Sequence, residues 1–566
     1  MNYYNKNLFN RLVGVAEYPI YGFLIIIYPF LFIKYGIDYT DAPWHYRAYL
    51  TGEEHSQFTY LSYVTGGWIA QILGESIVTF RFAARALEII SATLVVWGIL
   101  GSKQNIKIKL QVLSFATVGI TAISPNILHF DVFSSFFLSL IILFGYYYIE
   151  SNKSSFLVII AVLTALISSM RLPGILVLLV VSLMIIGKNY FSKTNLKGFV
   201  EIFSYLVITI VTYILLDLIF NSSSPSETVS SQDKNSSSVL RSIINMLTYS
   251  EGSHNLKLLI TKYAKDIVAI TDKLGVLVLL TFVYNYLKKA SENLPKIVHY
   301  TLILFLYIFL CFNLFSNIIN DAYNNALSLF LIAFGFYLAG IILYNSVVKK
   351  EKKIIVFIIF ALITSFVAAF GSDTGLKKAA RVLVYVIPIC MVLFYNIIDI
   401  KYRKVFYLLL MTVTLLLISN KVLIGKTYED DSIRTLKYSV NHPLLESLQT
   451  TQMRKDNIEE ILLITDSLAK SGNKYVFYGT TSHLFSYLSK TAKPGVATFK
   501  MQFENKKQAD LLEKYILREV EKPAVILLFG YPESKNEKNG GEIEEKLYAL
   551  SYSLEKDGVN YKVFTP

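Results

Sequence analysis

The chain has 566 residues, of which 54% are hydrophobic and 17% charged, and its mean hydropathy is +0.48. Soluble chains carry charge on about a quarter of their residues, so this composition excludes an ordinary soluble enzyme. The formal net charge of +13 does not imply nucleic-acid binding, because the basic residues fall in short clusters between apolar runs, where membrane orientation accounts for them.

The first apolar run, Val13 to Phe32, is too long for a signal-peptide core and lacks a small-residue cleavage site, so it reads as a retained helix. Runs near the roughly 17–25 residues that cross hydrocarbon as a helix recur at Phe82–Leu100, Leu110–Ser124, Val132–Ile149, Phe156–Ser169, Leu172–Ile186, Phe199–Phe220, Ile267–Leu287, Val298–Phe315, Ala326–Tyr344, Ile354–Phe370, Val382–Ile398 and Phe406–Ile424. Together they predict a mainly α polytopic membrane protein of about thirteen spans. Cys311 and Cys390 both lie inside apolar runs, which excludes a disulfide framework or thiolate metal site in the soluble parts.

Charge orients these spans. One side of the alternation receives Lys6 and Arg11, Lys103, Lys107 and Lys109, Lys153, Lys188, Lys193 and Lys197, Lys288, Lys289 and Lys296, the Lys349–Lys353 cluster, and Lys401, Arg403 and Lys404. By the positive-inside rule that side is cytoplasmic. The N-terminus is then cytoplasmic and everything after Lys426 extracytoplasmic. The predicted organisation is a membrane module over 1–425 and an extracytoplasmic domain over 426–566, in which strands (474–479, 496–503, 524–530, 561–564) alternate with helices (458–470, 482–489, 506–520, 542–556). That alternation predicts a small α/β domain with a largely parallel sheet.

The outer side holds most of the polar chemistry. Directly after the first span comes Gly36-Ile37-Asp38-Tyr39-Thr40-Asp41-Ala42-Pro43-Trp44-His45-Tyr46-Arg47. Carboxylates at a bilayer surface are costly unless solvated or paired. Asp41, with Asp38 as the second candidate, suits a general base, and either residue equally suits the N-cap of a helix opened by Pro43. His45, Tyr46 and Arg47 are candidate substrate contacts or interfacial anchors. In the next outer loop, Pro125-Asn126-Ile127-Leu128-His129-Phe130-Asp131 offers Asp131 either as a helix cap or as a partner of the base. Arg171, between two apolar runs, has the planar fork that suits phosphate, or it reaches up to headgroups. Gly371 to Arg381 carries Lys377, Lys378 and Arg381 on the outer side, against the positive-inside trend. These cations suit an anionic ligand or anionic lipid headgroups. Arg85 and Glu88 have the spacing of an ion pair within one helix. No zinc spacing, Walker loop, nucleophile elbow or dinucleotide fingerprint occurs.

A first apolar helix, an outer loop with an acidic motif followed by aromatics, many further helices and an outer C-terminal domain resemble the GT-C glycosyltransferases. The nearest architecture is that of the protein O-mannosyltransferases and the lipid A aminoarabinose transferase. Those carry an acidic pair in the first outer loop, often Asp-Glu. Here Tyr39-Thr40-Asp41-Ala42 followed by Tyr46 matches at Asp41 and departs at Ala42, which leaves a single base and no support for a divalent metal. Arg171 before a small-residue turn, and an acidic residue at Asp131, also resemble that group. The resemblance implies a polyprenyl-phosphate-linked sugar donor, inverting transfer on the outer face of a bacterial cytoplasmic membrane, and a glycan, lipid or protein acceptor. A polymerase or ligase of O-antigen type fits less well, since the longest central loop offers only Arg241 and His254. A transporter would place ionisable residues at mid-membrane, where Glu17 and Asp217 are the main acids.

Overall fold

A computed structural model describes residues 17–51, 60–101, 104–220, 256–290, 301, 325–370, 374–398, 403–424, 427, 430–479, 481–490, 506–533 and 541–566. The chain is a mainly helical membrane protein with a C-terminal α/β domain. Helices dominate because a backbone in hydrocarbon must satisfy its own hydrogen bonds. In order they are α1 (Glu17–Phe32), α2 (Asp41–Thr51), α3 (Tyr60–Leu73), α4 (Ile77–Leu100), α5 (Ile106–Ile123), α6 (Phe130–Ser151), α7 (Ser155–Met170), α8 (Leu176–Ser192), α9 (Asn195–Phe220), α10 (Leu256–Ala290), α11 (Asn325–Val348), α12 (Lys352–Val367), α13 (Ala380–Ile397) and α14 (Arg403–Ser419).

Among the described residues, seven helices are long and apolar enough to cross a membrane: Ile77–Leu100, Ile106–Ile123, Phe130–Ser151, Pro173–Ser192, Asn195–Phe220, Asn325–Val348 and Gly375–Ile397. Shorter apolar helices occupy Glu17–Phe32, Ser155–Met170 and Val413–Val422. The span expected at Val298–Phe315 lies outside the described residues apart from position 301, and Ile267–Leu287 falls inside the longer α10. The two short runs around Arg171 are separate helices. Arg171 is extended (φ −159°, ψ 124°), and a short 3-10 turn, Leu172–Ile175, precedes α8. Pro173 suits this break, since it has no N–H to carry the α7 ladder onward and sits at the start of the following turn.

Two features of the first loop were not legible in the sequence. The helix after the first span begins at Asp41, ahead of Pro43, and a second helix, α3, folds back over it. Their close approach depends on Gly66, where an added Cβ would lie 2.5 Å from the Tyr49 ring.

The C-terminal domain contains a two-stranded ribbon, β1 (Tyr438–Ser439) with β2 (Gln449–Thr450), and helices α15 (Gln452–Lys470), α16 (Ser482–Leu488), α17 (Lys506–Arg518) and α18 (Gly541–Ala549). Its four-stranded sheet comprises β3 (Tyr475–Tyr478), β4 (Ala524–Leu528), β5 (Ser553–Asp557) and β6 (Tyr561–Thr565), in the order β3-β4-β6-β5. Only β3 and β4 run parallel; β4–β6 and β5–β6 are antiparallel. The expected, largely parallel sheet is therefore corrected. The short connection 558–560 makes β5 and β6 a hairpin, which must be antiparallel. The exposed, polar β5 lay within the stretch read as helix. The expected strand 496–503 lies outside the described residues.

This domain does not stand apart from the bundle. Ile37, Tyr39, Tyr46, Phe80, Leu128 and Val132 share one buried apolar cluster with Leu445, Ile458, Phe477, Phe485 and Tyr487. Backbone bonds stitch the same seam: Gln449 N–H donates to the Lys34 carbonyl (2.7 Å), Gly36 N–H to Gln449 (2.8 Å) and Leu484 N–H to Tyr39 (3.1 Å).

Candidate active site

Asp131, in the first turn of α6, is the centre of a buried charge cluster. Its Oδ1 lies 3.1 Å from Arg171 Nη1 and its Oδ2 lies 2.6 Å from Lys378 Nζ. His129 Nε2 is 3.3 Å from Oδ2 and 3.4 Å from Arg381 Nη1. Asp131, Arg171 and Arg381 are all buried, and Lys378 keeps 18% of its side chain exposed. The cap reading of Asp131 is corrected: His129 occupies the N-cap position, and the Asp131 carboxylate faces cations.

The fold brings these groups from separate parts of the chain. The break between α7 and α8 frees the Arg171 side chain to donate to the Ala368 carbonyl (2.5 Å) and the Phe370 carbonyl (3.4 Å), just beyond α12. Lys378 and Arg381 come from the turn Gly375–Ala379 and the start of α13. Gly375 opens that turn at φ +79°, and a side chain there would collide with the Asp266 carboxylate. Asp266 also accepts from Leu376 N–H (2.8 Å) and lies near Lys377, so Lys377 turns toward α10 and away from its neighbour's ion pair. Arg171 and Lys378 both sit 5.7 Å from the centre of the Phe130 ring, within cation–π range.

Helix α2 forms the adjoining wall. Asp38 is its N-terminal cap: Oδ1 accepts from Thr40 N–H (2.8 Å) and Oδ2 from Ala42 N–H (2.7 Å). Buried and committed to these amides, Asp38 holds the start of the helix, while Asp41 occupies the first turn, partly exposed. One turn on, His45 is buried, with its ring centre 5.7 Å from that of His129 and 5.4 Å from that of Phe130. Positions four apart share a helix face, so Asp41 lies one turn before His45 on the same face of α2. Tyr46 stacks on Phe80 (4.3 Å), and its hydroxyl accepts from Leu128 N–H (3.3 Å). Tyr49 donates to the Leu128 carbonyl (2.9 Å). These two tyrosines fix the loop leading into His129 and Asp131, and Arg47 is buried on the same helix.

Both histidines lie outside the spans and are driven toward the neutral form. Burial pushes His129 down to about 4; Asp131 opposes this, while Arg381 and Lys378 add to it. Burial likewise holds His45 well below its ordinary value, helped by His129 and Lys378 and opposed by Asp131. With neutral histidines, three cations (Arg171, Lys378, Arg381) face one carboxylate (Asp131), a surplus of two positive charges among the described residues. Uncompensated buried charge is expensive, so the arrangement is built for an anion. His129 was not among the residues singled out from sequence; its place two residues before Asp131, in the same loop, was the available signal. Among the described residues no group of three or more His, Cys, Asp or Glu side chains gathers as a metal site.

No protein-family model and no curated protein matches the chain. The chain is similar to solved structures of an oligosaccharyltransferase and of ArnT. One is the Archaeoglobus fulgidus oligosaccharyltransferase solved with Zn and sulfate, at 13% identity and a TM-score of 0.41 over 87% of this chain. Another is the oligosaccharyltransferase AglB of the same organism, in complex with an inhibitory peptide and a dolichol-phosphate, at 12% identity and a TM-score of 0.40. The chain spans 64% and 66% of the length of these two. It is also similar to ArnT from Cupriavidus metallidurans bound to undecaprenyl phosphate, at 9% identity and a TM-score of 0.38, covering 97% of each chain. Likenesses of this degree assign no residue and no substrate.

Proposed function

We propose that this protein is an inverting glycosyltransferase that moves a sugar from a polyprenyl-phosphate donor to an acceptor on the outer face of a bacterial cytoplasmic membrane. The observation that carries this reading is the buried surplus of cations around Asp131, at the ends of apolar helices. A lipid phosphodiester carries one negative charge. As the bond from the anomeric carbon to the phosphate oxygen breaks, the electron pair passes to the phosphate, which approaches two. A site with two positive charges in excess therefore stabilises the departing group more than the bound donor, which is what catalysis requires.

In this reading Arg171, Lys378 and Arg381 hold the phosphate, and Asp131 positions Arg171 and Lys378 between turnovers. Asp41 takes the proton from the acceptor hydroxyl or amide as its oxygen or nitrogen attacks the anomeric carbon. His45 and Tyr46 keep Asp41's helix against the cluster, and Asp38 caps it. Residues 1–425 form the membrane module, with the N-terminus cytoplasmic, and residues 426–566 an extracytoplasmic domain that shields the site and meets the acceptor. The test is to incubate purified protein with polyprenyl-phosphate-linked sugars and an envelope extract as acceptor source. Release of free polyprenyl phosphate together with a glycosylated product supports the reading. Failure to bind polyprenyl phosphate at all overturns it.

A further inference from the structure

Two hydroxyls on the Asp131 face of α6 have no hydrogen-bond partner among the described residues. Ser134 and Ser135 are 2% and 3% exposed, and the Oγ of each is buried without a partner. Other buried hydroxyls in the surrounding helices bond back to their own helix. Ser139 donates to Phe136, Thr164 to Ile160, Ser168 to Thr164, Ser169 to Ala165, Thr364 to Phe360 and Ser365 to Ala361. That local bond is the ordinary resource of a serine inside a membrane helix. Ser134 and Ser135 forgo it, and a buried hydroxyl left unpaired is unfavourable.

Their register says what they serve. They follow Asp131 by three and four residues, so they flank it on the same face, one turn (about 5 Å) further along the helix. Asp131 marks the mouth of that helix, where Arg171, Lys378 and His129 converge. A lipid phosphate seated on those cations presents more acceptor oxygens than its single charge needs cations to balance. Neutral hydroxyls supply hydrogen bonds to those oxygens without adding charge to a cluster already two positive.

Resting on the function proposed above, we infer that Ser134 and Ser135 donate hydrogen bonds to the phosphate of the lipid donor, from the membrane side of the cation cluster. They are binding residues whose partner arrives with the substrate.

The probes are undecaprenyl phosphate and undecaprenol, which differ only in the phosphate, with binding read by native mass spectrometry and thermal unfolding read on the same samples. Ser134→Ala/Ser135→Ala is expected to bind undecaprenyl phosphate on the order of tenfold more weakly, the effect of losing hydrogen bonds to a charged group, and undecaprenol unchanged. Its ligand-free Tm is expected to stay level or rise, since the substitution removes two unpaired hydroxyls. Ser134→Thr/Ser135→Thr keeps the hydroxyls and is expected to recover the affinity, which covers an alanine variant that fails to fold. Unchanged phosphate affinity overturns the inference, as does an equal loss for both lipids, which would mean the hydroxyls hold only water or packing. Arg381→Gln separates the two levels. If it too binds undecaprenyl phosphate as the wild type does, the phosphate site itself is wrong; if it binds weakly while the serine variants do not, only the role of the serines falls.

Discussion

Arg454 of the C-terminal domain donates through Nη1 to the carbonyl of Ile37 at 2.9 Å, across 417 residues of chain. The amide of Ile37 is taken as well, by Asp430 Oδ2 at 2.8 Å. Arg454 Nε lies 2.7 Å from Glu533 and 3.5 Å from Asp430 Oδ1, and its guanidinium sits 4.5 Å from the centre of the Tyr531 ring. Both backbone groups of the residue before Asp38 are therefore held by the C-terminal domain, which sets where α2 begins and where Asp41 sits. Arg454→Ala removes the carbonyl's donor and leaves the buried Asp430 without its counter-charge. Breaking a buried pair by removing one partner costs about 3–5 kcal/mol. The expected outcome is faster limited proteolysis between bundle and domain and a lower turnover with little change in polyprenyl phosphate affinity. Arg454→Lys restores charge but not the branched donor geometry, so it should recover stability only in part. An unchanged proteolysis pattern in Arg454→Ala would show the clamp to be dispensable.

Asp41→Asn tests the base directly. The substitution keeps size and first-turn position and removes the ability to take a proton. General-base catalysis contributes about 10²–10⁴-fold, and a loss of that size in transfer is expected, with polyprenyl phosphate affinity and Tm close to wild type. Full transfer activity in this variant would remove Asp41 from the mechanism and leave Asp131 as the carboxylate to test next.

Asp131→Asn should act in a different way. With its charge gone, Arg171 and Lys378 lose the group that balances them, and the ligand-free protein should be less stable by about 3–5 kcal/mol. The same surplus of cations should hold the dianionic lipid phosphate more tightly and slow its release. Thermal unfolding with and without undecaprenyl phosphate reads both effects: a lower ligand-free Tm and a larger ligand-induced rise. A smaller rise than in wild type would mean that Asp131 contacts the lipid itself instead of balancing the cations.

The division between what the sequence disclosed and what it hid follows from the range of the interactions. Apolar runs and their charged flanks are local signals, so the helices around Arg171, and Arg171 itself as an exceptional cation, were readable. The pairing of Arg85 with Glu88 was readable too, being three residues apart on one helix. Asp41 was favoured over Asp131 as the centre because motif reading weighs neighbours in sequence. The cationic partners of Asp131 lie in the turn after α7 and in the turn before α13, and no local pattern announces them. The capping role of Asp38 was readable, but which carboxylate caps was not, since the choice depends on where the helix starts. The α3 helix and the β5 edge strand were missed for a related reason: interfacial helices and exposed edge strands bury too little to impose a clean periodicity.

The two histidines predict an acid limit. His129 titrates at about 4 in the folded protein, against about 6.5 for an unperturbed histidine. As pH falls the unfolded chain takes up its proton first, so the folded state loses ground. The contribution is complete above about pH 6.5, declines as pH falls, and is gone once pH passes through about 4, a total of about 3 kcal/mol. His45, held in the same direction by burial and by His129, adds to the decline. His129→Asn keeps a polar group between Asp131 and Arg381 without a titrating ring. The gap in Tm between wild type and this variant should therefore be widest near pH 7 and close as pH falls toward 4. Transfer should follow, because a protonated His129 would draw the Asp131 carboxylate away from Lys378 and add repulsion against Arg381. If the two proteins show parallel Tm profiles across this range, His129 does not change charge there, and its neutrality at the centre of the cluster would need another cause.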